Sequence, residues 1–172
     1  AYPARDGGVR VAEATSGKSV AHLTGFTKDA ERVSFSSDGK RIAASSYYAP
    51  TDRNIKIWDW ASGQEVLTLG VSGNITDVAF GPRGQWLAAA GTSPTTEKTI
   101  RLWQLEPNGT AASSRVLVGP KRRILTLRFS PDGHYLTAGG FGNNVAIWQL
   151  TQTHAHRRFF GHTNYVSDAR FL

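Results

Sequence analysis

The chain has 172 residues, of which 20 are Lys or Arg and 13 are Asp or Glu, so its formal net charge is +7 at pH 7. The absence of cysteine excludes disulfides and thiolate chemistry, and a hydrophobic fraction of 40% supports a packed core rather than a disordered chain. No apolar run approaches the roughly 18 residues of a membrane span. Since no secretory leader follows Ala1, we expect a cytoplasmic protein without a membrane partner.

In chain order, the first predicted strand covers residues 8–13, and it is a faint copy of a pattern that returns three times. The full copies cover residues 54–59, 99–104 and 144–149. They place Trp58, Trp103 and Trp148 at a constant spacing of 45 residues, whereas alanine occupies this position in the faint copy. A fixed period of this size predicts an array of similar structural units.

Each repeat also contains three further predicted strands, in which apolar and polar residues alternate with the period of two that is typical of a strand. Glycine turns join the first strand of each unit to the second, at Asp38-Gly39, Arg83-Gly84 and Asp132-Gly133. The blocks that end in these turns are residues 33–39, 78–84 and 127–133, and a fourth block begins at residue 169. The second strands cover residues 41–44, 86–89 and 135–138, and the last strands cover 19–23, 65–69, 115–118 and 158–160.

These repeats resemble the WD-repeat β-propeller family, with Trp58-Asp59 closing a third strand and Gly161-His162 preceding the next unit. The resemblance implies an all-β chain of four-stranded antiparallel blades. It predicts a partial blade over residues 1–29 that starts in its third strand, whole blades over 30–70, 75–119 and 124–161, and the start of another over 165–172. Three whole blades do not obviously close a ring, so we expect an incomplete arc of a larger propeller with about seven blades.

Blades of this family are often pinned by a hydrogen-bonded tetrad, and the resemblance assigns only part of it here. Asp52 and Glu97 hold the aspartate position, while alanine stands at the three hydroxyl positions, 44, 89 and 138. Gly25-Phe26 replaces the Gly-His pair before the second blade. We therefore expect the buried tryptophans, at about 150–250 Å² each, to hold the blades together. The residues with a predicted structural role are Asp52, Trp58, Glu97, Trp103, Trp148, Gly161 and His162.

The resemblance further implies a non-enzymatic scaffold that binds a protein or peptide on the face formed by two sets of loops. Arginine and aromatic side chains, which are enriched in interface anchors, occur among these positions. Carried over by position, the candidate partner-binding residues are Asp29, Glu31, Thr51, Asn74, Thr76, Thr96, Arg123, Leu125, Phe141 and Tyr165. A set of solvated loop tips is the alternative interpretation.

The basic segment Lys121-Arg122-Arg123 raises nucleic-acid binding as another alternative, with steep salt dependence as its signature. Asp29 and Glu31 on the same predicted face argue against a continuous basic track. Two more alternatives remain open. The arc could be purely structural and pack against other domains of a longer chain, or it could self-associate through open propeller edges.

Catalysis is not expected, because the sequence shows no recurrent Ser–His pairing and no metal-ligand spacing. His154 and His156 could form one edge of a metal site, but two alternate histidines are more typical of a solvated turn. The sequence therefore predicts neither a cofactor nor a metal.

Overall fold

The computed structural model describes residues 1–46, 54–71, 73–92, 99–107, 109–118, 122–151 and 157–171. Outside the described residues lie Thr51, Asp52, Thr96, Glu97, Lys121, His154 and His156. Within the described ranges the chain forms one three-stranded sheet and three four-stranded sheets. All pairings between neighbouring strands are antiparallel, which confirms the predicted all-β fold class.

Sheet one contains β1 (Tyr2–Pro3), β2 (Val9–Ala12) and β3 (Ser19–Leu23), in that order. The sequence predicted that the chain begins in a third strand at Val9. The structure adds β1, which pairs with β2 through Tyr2 opposite Arg10. A strand of two residues carries no period of its own, so only its pairing with β2 reveals it.

The three larger sheets each contain four strands that are consecutive in the chain. Sheet two is formed by β4 (Ala30–Phe35), β5 (Arg41–Ser46), β6 (Asn54–Asp59) and β7 (Gln64–Gly70). Sheet three is formed by β8 (Asn74–Phe80), β9 (Trp86–Thr92), β10 (Thr99–Leu105) and β11 (Ala111–Leu117). Sheet four is formed by β12 (Ile124–Phe129), β13 (Tyr135–Gly140), β14 (Asn144–Gln149) and β15 (Arg157–Phe160).

The core lies between successive sheets, and each gap contains a tryptophan from the later sheet. Trp58 packs with Val9 and Leu23 of sheet one, Trp103 lies in the gap between sheets two and three, and Trp148 lies in the next gap. The three residues are 1%, 4% and 0% exposed. At about 25 cal/mol per Å², burial of one such ring contributes about 4–6 kcal/mol. The repeated tryptophan therefore packs neighbouring sheets together.

Two of the tryptophans have contacts that stand in place of the family's polar tetrad. Phe26 is 8% exposed and meets Trp58 edge to face, with ring centroids 5.8 Å apart and an interplanar angle of 73°. Ala44 is fully buried in the same cluster. In the last gap, the indole N–H of Trp148 donates a hydrogen bond to the Val118 carbonyl at 3.0 Å. Aromatic packing and a backbone acceptor thus fix these rings.

The turns of sheets two and four share one hydrogen-bonded arrangement. The Ser36 hydroxyl donates to Asp38 Oδ1 at 2.6 Å, and the Lys40 N–H donates to the same oxygen at 3.0 Å. Ser130 and Asp132 repeat this arrangement, with His134 as the second donor. The serine and aspartate side chains therefore satisfy backbone groups that the tight turn leaves unpaired.

The corresponding turn of sheet three has a different conformation, a short 3-10 segment over Pro82–Gly84. Its sequence has Gly81 and Arg83 in place of serine and aspartate, and Arg83 has a left-handed φ of 61°. A Cβ atom on Gly81 would lie 2.8 Å from Trp86 Cβ and 3.3 Å from Phe129 of the next sheet. The close approach of Trp86 of the same sheet therefore favours glycine here, and the turn lacks its serine.

We predict that Arg83→Gly stabilises the chain, because glycine adopts a positive φ without steric strain. The expected gain in free energy of unfolding is about 0.5–1 kcal/mol. It is smaller than the strain removed, because glycine also raises the conformational entropy of the unfolded chain. Urea denaturation followed by circular dichroism measures the gain. Arg83→Ala is the matched control, because it removes the same side chain and retains the strain; an equal gain in both variants would contradict this explanation.

Candidate partner-binding loop face

The loop face is the end of the sheets at which each first strand begins and each second strand ends. In sheet two Ala30 pairs with Ser46, and in sheet four Ile124 pairs with Gly140. Residues just before the first strand and just after the second therefore lie side by side. The described members of the loop face include Lys28, Asp29, Glu31, Asn74, Arg122, Arg123, Phe141 and Tyr165.

Two aromatic residues that the sequence placed on this face are in direct contact. The rings of Phe141 and Tyr165 stack with their centroids 5.4 Å apart and an interplanar angle of 29°. Phe141 is 45% exposed and Tyr165 is 50% exposed. The pair thus presents a flat apolar surface together with a phenol group, a combination that suits an interface anchor.

Backbone hydrogen bonds hold this stack in place. The Phe141 N–H donates to the Arg123 carbonyl at 2.9 Å, and the Val166 N–H donates to the Gly140 carbonyl at 2.9 Å. A Cβ atom on Gly140 would lie 2.1 Å from the Arg123 carbonyl oxygen, so the two loops approach closely only because residue 140 is glycine. The aromatic pair and the basic loop therefore form one preorganised unit.

The loop face carries charged residues at both ends of the arc. At the start of sheet two Asp29 is exposed and Glu31 is half-buried, with exposed Lys28 and half-buried Arg32 on either side, while Arg122 is exposed before sheet four. The charged groups of Asp29, Glu31 and Arg122 form neither a hydrogen bond nor an ion pair with any residue that the structure describes. The face is therefore mixed in charge at sheet two and basic at sheet four.

The remaining predicted site residues are less accessible. Thr76 is 2% exposed, and its hydroxyl donates to the Ala90 carbonyl at 3.2 Å, so its side chain lies inside the sheet and not on the binding face. Asn74 and Leu125 are half-buried. Among the predicted site residues that the structure describes, the accessible ones are therefore concentrated at the two ends of the arc.

Gly161 and His162, for which the sequence predicted a structural role, lie beyond β15. Both residues are exposed, and Gly161 has a φ of 130°. His162 lines a cleft of about 350 Å³ with Val145, Ile147 and Phe159 of sheet four. Their part in pinning a blade stays a prediction.

An ionic cluster that the sequence did not single out connects the first strands of sheets three and four. Asp77 is 8% exposed and accepts hydrogen bonds from the Leu127 N–H at 2.7 Å and from Arg128 at 3.1 Å. Arg128 also lies 3.4 Å from Asp168, which accepts a bond from the Thr126 hydroxyl at 3.1 Å. The sequence does contain a signal for this cluster, because each of the two aspartates stands three residues before the phenylalanine of its repeat.

The pKa values of the two carboxylates in this cluster are shifted in opposite directions. Burial raises the pKa of Asp77, an effect that the hydrogen bond from the Leu127 N–H partly offsets. The pKa of Asp168 is lowered, chiefly by a hydrogen bond from Arg170 at 2.6 Å. This difference reflects burial, since the side chain of Asp77 is 12% exposed and that of Asp168 is 32% exposed.

The described residues contain no group of three or more His, Asp or Glu side chains placed to hold a metal ion. In the part of the chain that the structure describes, no helix has the length and apolar character to span a membrane.

Consecutive four-stranded antiparallel sheets, each sealed to its neighbour by a third-strand tryptophan, define a repeat protein of the β-propeller class. The family model described as "WD domain, G-beta repeat" matches residues 17–59, 63–104 and 112–149, which together make up more than half of the chain. The chain belongs to the WD40 repeat family. This confirms the resemblance noted in its sequence.

Curated relatives include a protein whose name describes it as a WD-repeat protein. The chain is 32% identical over 137 residues to the "Nuclear distribution protein PAC1" of Arthroderma benhamiae, a match that covers 74% of the chain and 29% of the relative. It is 29% identical over 118 residues to the "Nuclear distribution protein nudF 1" of Talaromyces marneffei, covering 68% and 25%. The "WD repeat and SOCS box-containing protein 1" of Takifugu rubripes is 33% identical over 97 residues, covering 56% and 22%. The chain thus spans less than a third of the length of these relatives.

Proposed function

We propose that the chain is a non-enzymatic interaction module that binds a protein or peptide partner on its loop face. The observation that carries this proposal is the stacked, half-exposed pair Phe141 and Tyr165, held against the Arg123 loop by backbone hydrogen bonds. Interface hot spots are typically aromatic or arginine side chains on a preorganised surface. Membership of a family of interaction scaffolds agrees with this role.

Nucleic-acid binding through the basic loop is supported less well by the same geometry. A protein that follows a phosphate backbone needs a continuous basic track, but the loop face carries Asp29 and Glu31 at its other end. Single-stranded binders also stack bases on exposed rings, whereas Phe141 and Tyr165 are stacked on each other. Nucleic-acid binding is therefore the competing result that the experiments distinguish from binding of a protein.

Site-specific photo-crosslinking tests the proposed location of the partner. The photoreactive residue p-benzoylphenylalanine is placed at position 141 and, as a matched control, at position 160, since Phe160 is 74% exposed on the outer strand β15. We expect a discrete protein adduct from position 141 and none from position 160. Equal adducts from both positions, or adducts only to nucleic acid, would contradict the proposal.

Once the adduct identifies the partner, alanine variants measure the contribution of the stack. We predict that Phe141→Ala and Tyr165→Ala each weaken binding about tenfold or more, the effect expected of a hot spot. Isothermal titration calorimetry with the purified partner gives the affinity, and thermal unfolding shows whether the variants remain folded. Phe160→Ala is the control and should bind like the wild type; an equal loss there would count against a localised site.

A further inference from the structure

Sheets two and three each present one apolar surface to the tryptophan of the following sheet. This surface consists of two third-strand residues, an alanine of the second strand and a leucine of the fourth strand. Its members are Ile55, Ile57, Ala43 and Leu69 in sheet two, and Ile100, Leu102, Ala88 and Leu117 in sheet three. None of them is more than 7% exposed. The chain therefore contains two occupied examples of a surface that packs with an indole ring.

Strand pairing identifies the same surface on sheet four. Its third-strand residues are Val145 and Ile147, which pair with Phe159 of the fourth strand and Thr137 of the second strand. The corresponding residues of sheets two and three pair in the same register. Val145 and Ile147 are only half-buried here, and Phe159 is 48% exposed. All five tryptophans of the chain pack in the three gaps between the described sheets, so this surface holds none of them.

The open surface forms one wall of the cleft of about 350 Å³ described above. Val166 covers only its second strand, because a Cβ atom on Gly139 would lie 2.7 Å from Val166 Cγ1. Thr137 also lines the cleft and is 3% exposed, and its hydroxyl has no hydrogen-bond partner among the described residues. The part formed by β14 and β15 therefore remains accessible beside a buried polar group.

The occupied surface of sheet three also supplies a hydrogen-bond acceptor. Trp148 donates its indole N–H to the carbonyl of Val118, the residue after Leu117. In sheet four the residue after Phe159 is Phe160, so the Phe160 carbonyl occupies the corresponding position. The surface of sheet four thus repeats both the apolar and the polar contacts that an indole ring uses.

We propose that this surface of sheet four binds a tryptophan side chain that a partner protein presents on an extended strand. The indole ring packs on Val145, Ile147 and Phe159, as Trp148 packs on the corresponding residues of sheet three. Its N–H donates to the Phe160 carbonyl. Burial of such a ring removes about 150–250 Å² from water, which makes tryptophan a strong interface anchor. The site is separate from the loop face and does not rest on the proposed function.

A second copy of the chain does not supply this indole when its first sheet stacks on sheet four. Alanine stands at position 12 of sheet one, where the other sheets have tryptophan. The repeated tryptophans of sheets two, three and four are at most 4% exposed, so they are not available to another molecule. We therefore assign the site to a different polypeptide.

A nuclear magnetic resonance titration of the ¹⁵N-labelled 172-residue chain with N-acetyltryptophanamide tests the site. N-acetylleucinamide is the matched probe, because it has the same backbone and lacks the indole. We expect amide shifts centred on Val145, Ile147 and Phe159. The tryptophan derivative should bind about tenfold more tightly, since its ring buries more apolar area. Equal binding of the two amides, or shifts centred on Phe141 and Tyr165, would overturn the inference.

Neighbouring phenylalanines of β15 provide a matched pair of variants. Phe159→Ala should weaken binding of N-acetyltryptophanamide about five- to tenfold, because it removes an aromatic wall of the site. Phe160→Ala should leave the affinity unchanged, since the substitution keeps the backbone carbonyl and the side chain alternates to the other side of the strand. Val145→Phe fills the cleft without removing a wall and should abolish binding. Equal losses in the two alanine variants, or full binding by Val145→Phe, would overturn the inference.

Two further results separate this inference from self-association and from the proposed function. Light scattering over a range of concentrations should give a monomeric mass. A dimer that Phe159→Ala dissociates would show that a second copy occupies the surface, and the inference would fail. Crosslinking at position 141 reports on the loop face alone, so either proposal can fail while the other stands.

Discussion

Trp148→Ala is expected to lower the free energy of unfolding by about 4 kcal/mol, within the range measured for large buried aromatic residues. Trp148 is 0% exposed in the gap between sheets three and four. Its indole N–H donates to the Val118 carbonyl of the preceding sheet, so the substitution removes both packing and a hydrogen bond between the sheets. Urea denaturation followed by circular dichroism measures the loss, and calorimetry should show it as a lower melting temperature.

Trp60→Ala is the matched control for this prediction. The indole N–H of Trp60 also donates to a backbone carbonyl, that of Gly39 at 2.6 Å, but both residues belong to sheet two and Trp60 is only half-buried. We expect Trp60→Ala to lose about 1–2 kcal/mol, because Trp60 is only partly buried at the edge of the core between sheets one and two. A loss at Trp60 as large as that at Trp148 would show that full burial of the ring in the gap between sheets is not the main source of the stability lost.

Asp77→Ala has the second largest expected effect, a loss of about 3 kcal/mol in the free energy of unfolding. The substitution leaves the buried Leu127 N–H without its acceptor and removes one of the two carboxylates beside Arg128. A buried N–H without an acceptor and a lost hydrogen bond to a charged group both lower stability, although Arg128 itself is 42% exposed. Denaturant unfolding measures it. Asp168→Ala, at the equivalent and more exposed position, is the control and should lose less.

The pH dependence gives an independent check on Asp77. Because burial raises its pKa above the ordinary value of 3.8, the folded state binds more protons than the unfolded state between those two values. The contribution of Asp77 to the free energy of unfolding is therefore greatest at low pH and is lost as pH rises through the raised pKa. By the same linkage, the free energy of unfolding of wild type minus that of Asp77→Asn should decrease as pH rises from about 3 to 7. An increase in this quantity would contradict the assigned direction.

The sheets and their order could be predicted from sequence because the signal is local and repeated. The tryptophan period marks the third strand of each four-stranded sheet, and alternation within each strand marks the buried side. The structure shows the same register three times, with Trp58, Trp103 and Trp148 opposite Ile42, Leu87 and Leu136. A pattern that recurs at one spacing in three places leaves few alternative pairings.

Features that depend on the relative placement of two sheets could not be predicted in this way. The bond from Leu127 to Asp77 crosses from sheet four to sheet three, and neither residue is unusual within its own strand. The edge contact of Phe26 with Trp58 likewise joins a loop to the next sheet. Thr76 was assigned to the binding face by position, but its side chain is buried because it bonds back to the neighbouring strand.

The candidate site was predicted in part, for a physical reason. Phe141 and Tyr165 occupy loop positions that the repeat pattern brings to one end of the sheets, so their proximity follows from the register. Their stacking depends on the close approach of Gly140 to the Arg123 carbonyl, which only the folded backbone reveals. The charged residues Asp29 and Arg122 were visible in sequence, whereas their lack of ion partners among the described residues was not.

The central claim is that the loop face binds a protein through the aromatic stack, and one salt titration tests it most directly. The partner identified by crosslinking at position 141 is titrated against wild type and against Phe141→Ala in about 0.05 M and about 0.5 M NaCl. We expect wild-type affinity to change less than about tenfold between the two salts, far less than the 10³–10⁵-fold loss of a protein with many phosphate contacts. Phe141→Ala should remain about tenfold weaker in both. A steep loss with salt and no difference between the two proteins would contradict the claim and favour phosphate binding by the basic loop.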